Sequence, residues 1–170
     1  MKTEYKIIDN FLPKDTFNKL ASIALGPEIP YYFNKEINWH HDEKDEVDLT
    51  CYFTHALFNM ENDYIYSNYF HHFGTIFYDA LEMKSLIRMK MNLYCRTSEV
   101  IHHKPHVDLP FEHKGCVFSF NTCNGGTVLE DGTFVESVAN RALLFNPNKA
   151  HHSTSCTNAK ARVNINLNYF

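Results

Sequence analysis

No stretch of this 170-residue chain reaches eighteen consecutive apolar residues, the length a membrane-crossing helix needs. The opening Met1-Lys2-Thr3-Glu4-Tyr5 carries no apolar core of the kind found in a secretory signal. We therefore expect a soluble, cytoplasmic protein with no membrane partner. Cysteine offers no pattern either: Cys51, Cys95, Cys116, Cys123 and Cys156 are odd in number and never fall in a Cys-x-x-Cys spacing. That argues against a disulfide framework and a cysteine zinc site, and leaves free thiols. Basic residues are the minority, 16 against 20 acidic, and they are scattered. Without a basic stripe to neutralise phosphates, nucleic acid is not an expected partner. Internal repeats and low-complexity tracts are missing as well.

What the chain does have is aromatics. With 14 Phe and 10 Tyr in a length that suits one domain, a tightly packed β-rich fold is favoured. Residues 1–85 read as helical and strand support, and residues 86–170 as a β core. A short strand is expected in residues 4–12. Pro13 then opens a helix to Leu25, stopped by Gly26-Pro27, with Phe17, Leu20 and Ala24 on its inner face. Residues 28–40 look extended and end in Trp39-His40, and the acidic segment 41–48 reads as a solvated loop. Residues 63–83 carry a buried helix face in Tyr66, Phe70, Phe73, Phe77 and Leu81. His71 and His72 lie within it without an acidic partner at helical spacing, and read as capped or partly exposed histidines rather than ligands.

From Leu86 the period becomes two. Ile87, Met89, Met91 and Leu93 alternate with Arg88, Lys90, Asn92 and Tyr94, so one face meets the helices and the other faces solvent or a cavity. Val163, Ile165, Leu167 and Tyr169 repeat this against Arg162, Asn164, Asn166 and Asn168. Phe118 and Phe120 alternate in the same way with Val117, Ser119 and Asn121. Gly125-Gly126 is expected to form a turn, Asp131-Gly132 a type I′-like hairpin turn between residues 127–130 and 133–138, and residues 140–145 a further strand.

Chemistry gathers in the second half. In His106-Val107-Asp108 two ligand-type side chains stand at i and i+2, on one face of a strand. A second histidine site follows the Pro147 loop, where His151 and His152 compete, since one of them alone can coordinate with normal geometry. Two histidines and one carboxylate match the facial triad of non-haem Fe(II) oxygenases, which leaves positions open for co-substrate and oxygen. His102 and His103 read as rim residues, and Arg162 is in phase with the polar Asn164 and Asn166.

These residues resemble a known family, the 2-oxoglutarate- and Fe(II)-dependent dioxygenases, above all their prolyl-4-hydroxylase-like branch. The likeness lies in Asn92-Leu93-Tyr94, His106-x-Asp108, Val117-Phe118-Ser119-Phe120-Asn121, Gly125-Gly126, Asn140-Arg141-Ala142-Leu143-Leu144-Phe145, His151 and Arg162. The chain is similar, too, to short oxygenases carried by phages of marine bacteria, in Asn124-Gly125-Gly126-Thr127, Glu136-Ser137-Val138-Ala139-Asn140-Arg141 and the closing Asn168-Tyr169-Phe170. The resemblance implies a double-stranded β-helix, or jelly roll, buttressed by N-terminal helices. His106, Asp108 and His151 would hold Fe(II), the run His151-His152-Ser153-Thr154 fitting the family pattern with His151 as ligand. Arg162 would bind the distal carboxylate of 2-oxoglutarate, and Tyr94 would touch the same co-substrate. Ser119 stands where prolyl hydroxylases often place a tyrosine, leaving Thr127, Tyr94 or a water to complete that contact. Asn168 stands where some relatives carry an aromatic near a peptide substrate.

The implied reaction uses O2, with ascorbate as reductant, and yields succinate and CO2. The carboxylate of Asp108 implies hydroxylation rather than halogenation. A prolyl residue of a peptide or protein is the expected substrate. A free amino acid or other small metabolite is the alternative within the class, and a cupin-like metal-binding module without turnover is the alternative outside it.

Overall fold

The period-two runs have one apolar edge each, and such strands are stable only when that edge is covered. In the computed structural model, which describes residues 4–35, 51–62 and 64–170, two helices provide the cover. Trp39-His40 and the acidic segment 41–48 lie outside the described residues. The elements run β1 (Tyr5–Ile8), α1 (Lys14–Ala24), β2 (Tyr32–Asn34), β3 (Tyr52–Asn59), β4 (Tyr64–Ile65), α2 (Phe70–Ala80) and β5 (Leu86–Cys95). They continue with β6 (Lys114–Ser119), β7 (Cys123–Leu129), β8 (Phe134–Ser137), β9 (Arg141–Phe145), β10 (His151–Ser153) and β11 (Ala161–Tyr169). The larger sheet has the order β1-β9-β6-β11-β5-β3-β2, with β4 on β3, and the smaller is β10-β7-β8. All pairings between these strands are antiparallel. This is a mostly β jelly roll of the double-stranded β-helix kind with two helices, as expected.

The helices lie on one face of the larger sheet. Leu20 and Ala24 of α1 and Phe73 and Phe77 of α2 share a buried cluster with Met89, Met91, Phe118, Phe120, Ile165 and Leu167. Phe118 is the hub, with ring centroids of Phe11, Phe17, Phe77 and Phe120 between 5.2 and 6.2 Å away. Asn140, at a positive φ of 63° that asparagine tolerates, ties the N-terminal segment to the core. Its side chain accepts from the Leu12 N–H at 2.9 Å and donates to the Leu12 carbonyl at 2.8 Å.

Three local expectations need correction. The second helix starts at Phe70, not near residue 63, because Tyr64–Ile65 is a strand on β3 and the Tyr66 N–H bonds to the Leu57 carbonyl at 3.0 Å. Tyr66 fits the helical spacing by coincidence and is exposed, as are His71 and His72. Gly125-Gly126 is not a turn but part of β7, at a shift in register between Cys123 and Gly126. A side chain at Gly125 would strike the Ser155 carbonyl and one at Gly126 the Val135 carbonyl, so these glycines allow close backbone approach. The turn at Asp131-Gly132 is not type I′, which needs two positive φ values. Only Gly132 has one, at 81°, following a turn closed by its own N–H on the Leu129 carbonyl.

Candidate active site

The cavity lies between the two sheets and encloses about 230 Å3. Larger-sheet residues line one side, including Arg88, Lys90, Asn92, Tyr94, Arg162, Asn164 and Asn166, while Thr127, His151 and Ser153 come from the smaller sheet. The polar phase of β5 and β11 thus faces a cavity. The cross-strand register stacks Tyr94 with Arg162, Asn92 with Asn164, Lys90 with Asn166 and Arg88 with Asn168.

His106 is not in a strand; it forms a single antiparallel bridge with His151. Each of these two residues donates its N–H to the other's carbonyl at 2.9 Å, which sets their rings side by side with centroids 4.6 Å apart. Asp108 follows on the same side. Its Oδ1 is 3.7 Å from His106 Nε2 and its Oδ2 is 4.0 Å from His151 Nε2. One donor atom from each of the three lies within 4.8 Å of the others, the only such group of three or more among the described residues. Donors each about 2.1 Å from one ion stand roughly 3–4 Å apart, so the spacing fits a shared metal.

Protonation states fit as well. Burial, and then the neighbouring His151, hold His106 down to about 4, so its ring is neutral at pH 7. Burial would raise Asp108, but Arg88, His151, the hydrogen bond from Asn168 and His106 together hold it at about 2. The Lys149 carbonyl accepts from His151 Nδ1 at 2.9 Å, which leaves Nε2 free to face Asp108.

Two residues not expected to touch the carboxylate grip Asp108. Arg88 Nη2 donates to Oδ1 at 2.8 Å, and Asn168 Nδ2 donates to Oδ2 at 2.9 Å. Arg88 Nε also donates to Asn168 Oδ1 at 3.1 Å, so the pair holds itself as well as the carboxylate. Donors that grip a carboxylate in this way fix the direction of a ligating oxygen. The phase of β5 and β11 places both residues on the cavity face, and that was the available signal.

Arg162 is 1% exposed. Its Nη2 donates to Thr127 Oγ1 at 3.0 Å and its Nη1 to the Thr154 carbonyl at 3.3 Å, while Nε is buried without a partner. No carboxylate pairs with it among the described residues. Tyr94 lies beneath it, the guanidinium carbon 5.4 Å from the ring centroid. That ring is stacked between Tyr52 and His103, at 5.5 and 5.2 Å. His103 is therefore not a rim residue: it is buried and pairs with Ser153 Oγ at 2.7 Å. His102 is exposed, 3.1 Å from His152, whose ring turns away from the triad towards it. Ser119 lies in a small adjoining pocket with Thr127 and Arg162, and its hydroxyl accepts from Ser137 Oγ at 3.0 Å.

No family model matches the chain, and no curated protein matches it in sequence. Solved structures do. A prolyl-4-hydroxylase from Pseudomonas putida is similar over 99% of this chain and 93% of its own, with 15% identity and a TM-score of 0.64. A prolyl hydroxylase from Trichoplax adhaerens, solved in complex with a hypoxia inducible factor peptide fragment, is similar over 99% and 84%, with 14% identity and a TM-score of 0.65. An oxidoreductase of the 2OG-Fe(II) oxygenase family from Burkholderia pseudomallei is similar over 97% and 84%, with 10% identity and a TM-score of 0.67. At such identities the likeness is one of fold, and the fold of this chain is that of the 2OG-Fe(II) oxygenases.

Proposed function

We propose that the protein is an Fe(II)- and 2-oxoglutarate-dependent dioxygenase that hydroxylates an unactivated C–H bond. One oxygen atom of O2 ends in succinate, formed with CO2 from 2-oxoglutarate, and the other in the hydroxylated product. His106, Asp108 and His151 would hold the iron, which when bound supplies the O2 activation that no side chain can. Arg88 and Asn168 keep Asp108 ionised and oriented.

The observation that carries this reading is Arg162, a buried cation in the cavity of the triad with no counter-charge among the described residues. Burying a lone charge is unfavourable, and a bound carboxylate removes that penalty. A guanidinium fork matches a carboxylate through two parallel hydrogen bonds, and the buried, unpartnered Nε leaves one donor waiting. Thr127 and Tyr94 hold the fork in place, and they are the side chains a distal carboxylate would meet.

The test is succinate formation from 2-oxoglutarate with Fe(II), ascorbate and O2, for the intact protein, Asp108→Ala and Arg162→Ala. Turnover by the intact protein alone is the expected outcome. Tight metal binding with no succinate would favour a cupin-like binding module, and failure to bind either metal or 2-oxoglutarate would remove the reading entirely. A prolyl substrate is supported by analogy with the two prolyl hydroxylases of this fold. A free amino acid or other small metabolite is supported by the cationic cavity lining.

A further inference from the structure

A third cation in the cavity is not used by any of the roles above. Lys90 lines it from β5, and its ammonium has no carboxylate partner among the described residues. Its contacts are the Tyr52 hydroxyl at 3.5 Å and the Tyr52 ring, whose centroid is 5.6 Å away. The cavity's described lining offers one carboxylate, Asp108, and Arg88 already pairs with it. Beside Lys90, its cross-strand neighbour Asn166 has a buried Oδ1 with no donor. An unpaired cation and an unpaired acceptor therefore stand next to each other on the cavity wall.

Lys90 is not a second anchor for the distal carboxylate held by Arg162. Arg162 stands level with Tyr94, and Lys90 is four residues further along β5, about 13 Å at the strand rise. It is two residues from Arg88, on the same face, at the metal end. With one carboxylate of 2-oxoglutarate on Arg162 and Arg88 paired to Asp108, Lys90 is the lining cation left over for a different molecule. Burial, with Arg88 nearby, lowers Lys90 to about 8, which leaves most of it charged at pH 7 and more so once an anion is bound.

Resting on the dioxygenase reading, we infer that the hydroxylated substrate is a free α-amino acid, its carboxylate held by the Lys90 ammonium and its α-ammonium by Asn166 Oδ1. The pair complements a zwitterion: a donor of positive charge for the carboxylate and a neutral acceptor for the ammonium. A residue inside a peptide offers neither group.

The test uses the intact protein with Fe(II), 2-oxoglutarate, ascorbate and O2. Succinate formation is followed with each of the common L-amino acids, with their carboxamides, and with an N-acetylated prolyl peptide amide. At least one free amino acid should stimulate turnover and its carboxamide should not. Lys90→Met should raise that amino acid's half-saturation about tenfold to a hundredfold, the worth of one charge-assisted hydrogen bond, and Lys90→Arg should recover part of it. Arg162→Met should instead raise the half-saturation for 2-oxoglutarate. Circular dichroism of each variant separates misfolding from lost binding.

The inference is overturned if carboxamides or the peptide stimulate as well as the free acids, or if no amino acid stimulates. It is overturned equally if Lys90→Met weakens 2-oxoglutarate as Arg162→Met does. A protein that neither binds 2-oxoglutarate nor forms succinate defeats the dioxygenase reading itself, an outcome distinct from these.

Discussion

Arg88 and Asp108 are joined by a hydrogen bond of 2.8 Å between opposite charges, the carboxylate nearly buried and the guanidinium about a quarter exposed. This bond does more than complete an ion pair. It neutralises a carboxylate that must stay ionised while buried, and it fixes Oδ1 beside His106 while Oδ2 faces His151. Arg88→Met should therefore destabilise the metal-free protein by about 2 kcal/mol, since Asp108 is left buried without its counter-charge. A divalent ion supplies a substitute charge, so nickel should raise the variant's denaturation midpoint more than that of the intact chain. Urea titrations with and without nickel check this, and equal increments would refute it.

Arg162→Met should leave the ligand-free protein as stable as before, or more so, because a buried and unneutralised cation gives way to an apolar chain of similar length. If the chain is a 2-oxoglutarate-dependent oxygenase as proposed, 2-oxoglutarate should raise the melting temperature of the intact protein and not that of the variant. Thermal melts with and without the co-substrate measure both. A marked loss of stability without ligand would mean that Arg162 is chiefly a structural residue.

Gly125→Ala should act on the same guanidinium from a distance. The added methyl would strike the Ser155 carbonyl and lie 3.2 Å from Arg162 Cδ. Overpacking of this kind costs about 1–3 kcal/mol, and the displaced fork should raise the half-saturation for 2-oxoglutarate. Chemical denaturation and co-substrate titration should move together, and a variant with native values of both would show that the backbone relaxes freely.

The pH dependence of stability should carry a signature of Lys90. Its folded value of about 8 lies below the ordinary 10.5, so between those two values the unfolded chain holds more protons than the folded one. Stability from this group therefore rises with pH across that window, and the penalty for burying the charged form is fully present below pH 8. Lys90→Met has no such penalty. Its melting temperature should exceed that of the intact protein by a margin that shrinks between pH 8 and 10, measured without ligand. A constant margin would contradict the assignment.

Much of the site was legible because strand alternation is a strict rule. Once Met89, Met91, Ile165 and Leu167 are assigned to the core, Arg88, Lys90, Asn164 and Asn166 must face the other way. What alternation cannot reveal is the partner across the cavity. The pairing of Arg88 and Asn168 on Asp108 joins residues 20 and 60 positions from it in the chain. His103 was misplaced because a histidine stacked on a buried tyrosine has the same local sequence as one at a rim. Gly125-Gly126 misled in the opposite sense. Two glycines that permit close backbone approach cannot be told from two that permit a turn until the chain passing over them is known.

β11 is hydrogen-bonded on both sides, to β5 and to β6, and its alternate residues serve two masters. Val163, Ile165 and Leu167 point into the greasy interior, while Arg162 lines one end of the cavity and Asn168 holds Asp108 at the other. A slip of one position would turn the guanidinium into the oily layer and valine into the wet one. Misassembly of the site is therefore coupled to exposure of the core, and a chain that has folded at all has its chemistry in the correct order. Proofreading of the cavity's geometry is built into the hydrophobic collapse.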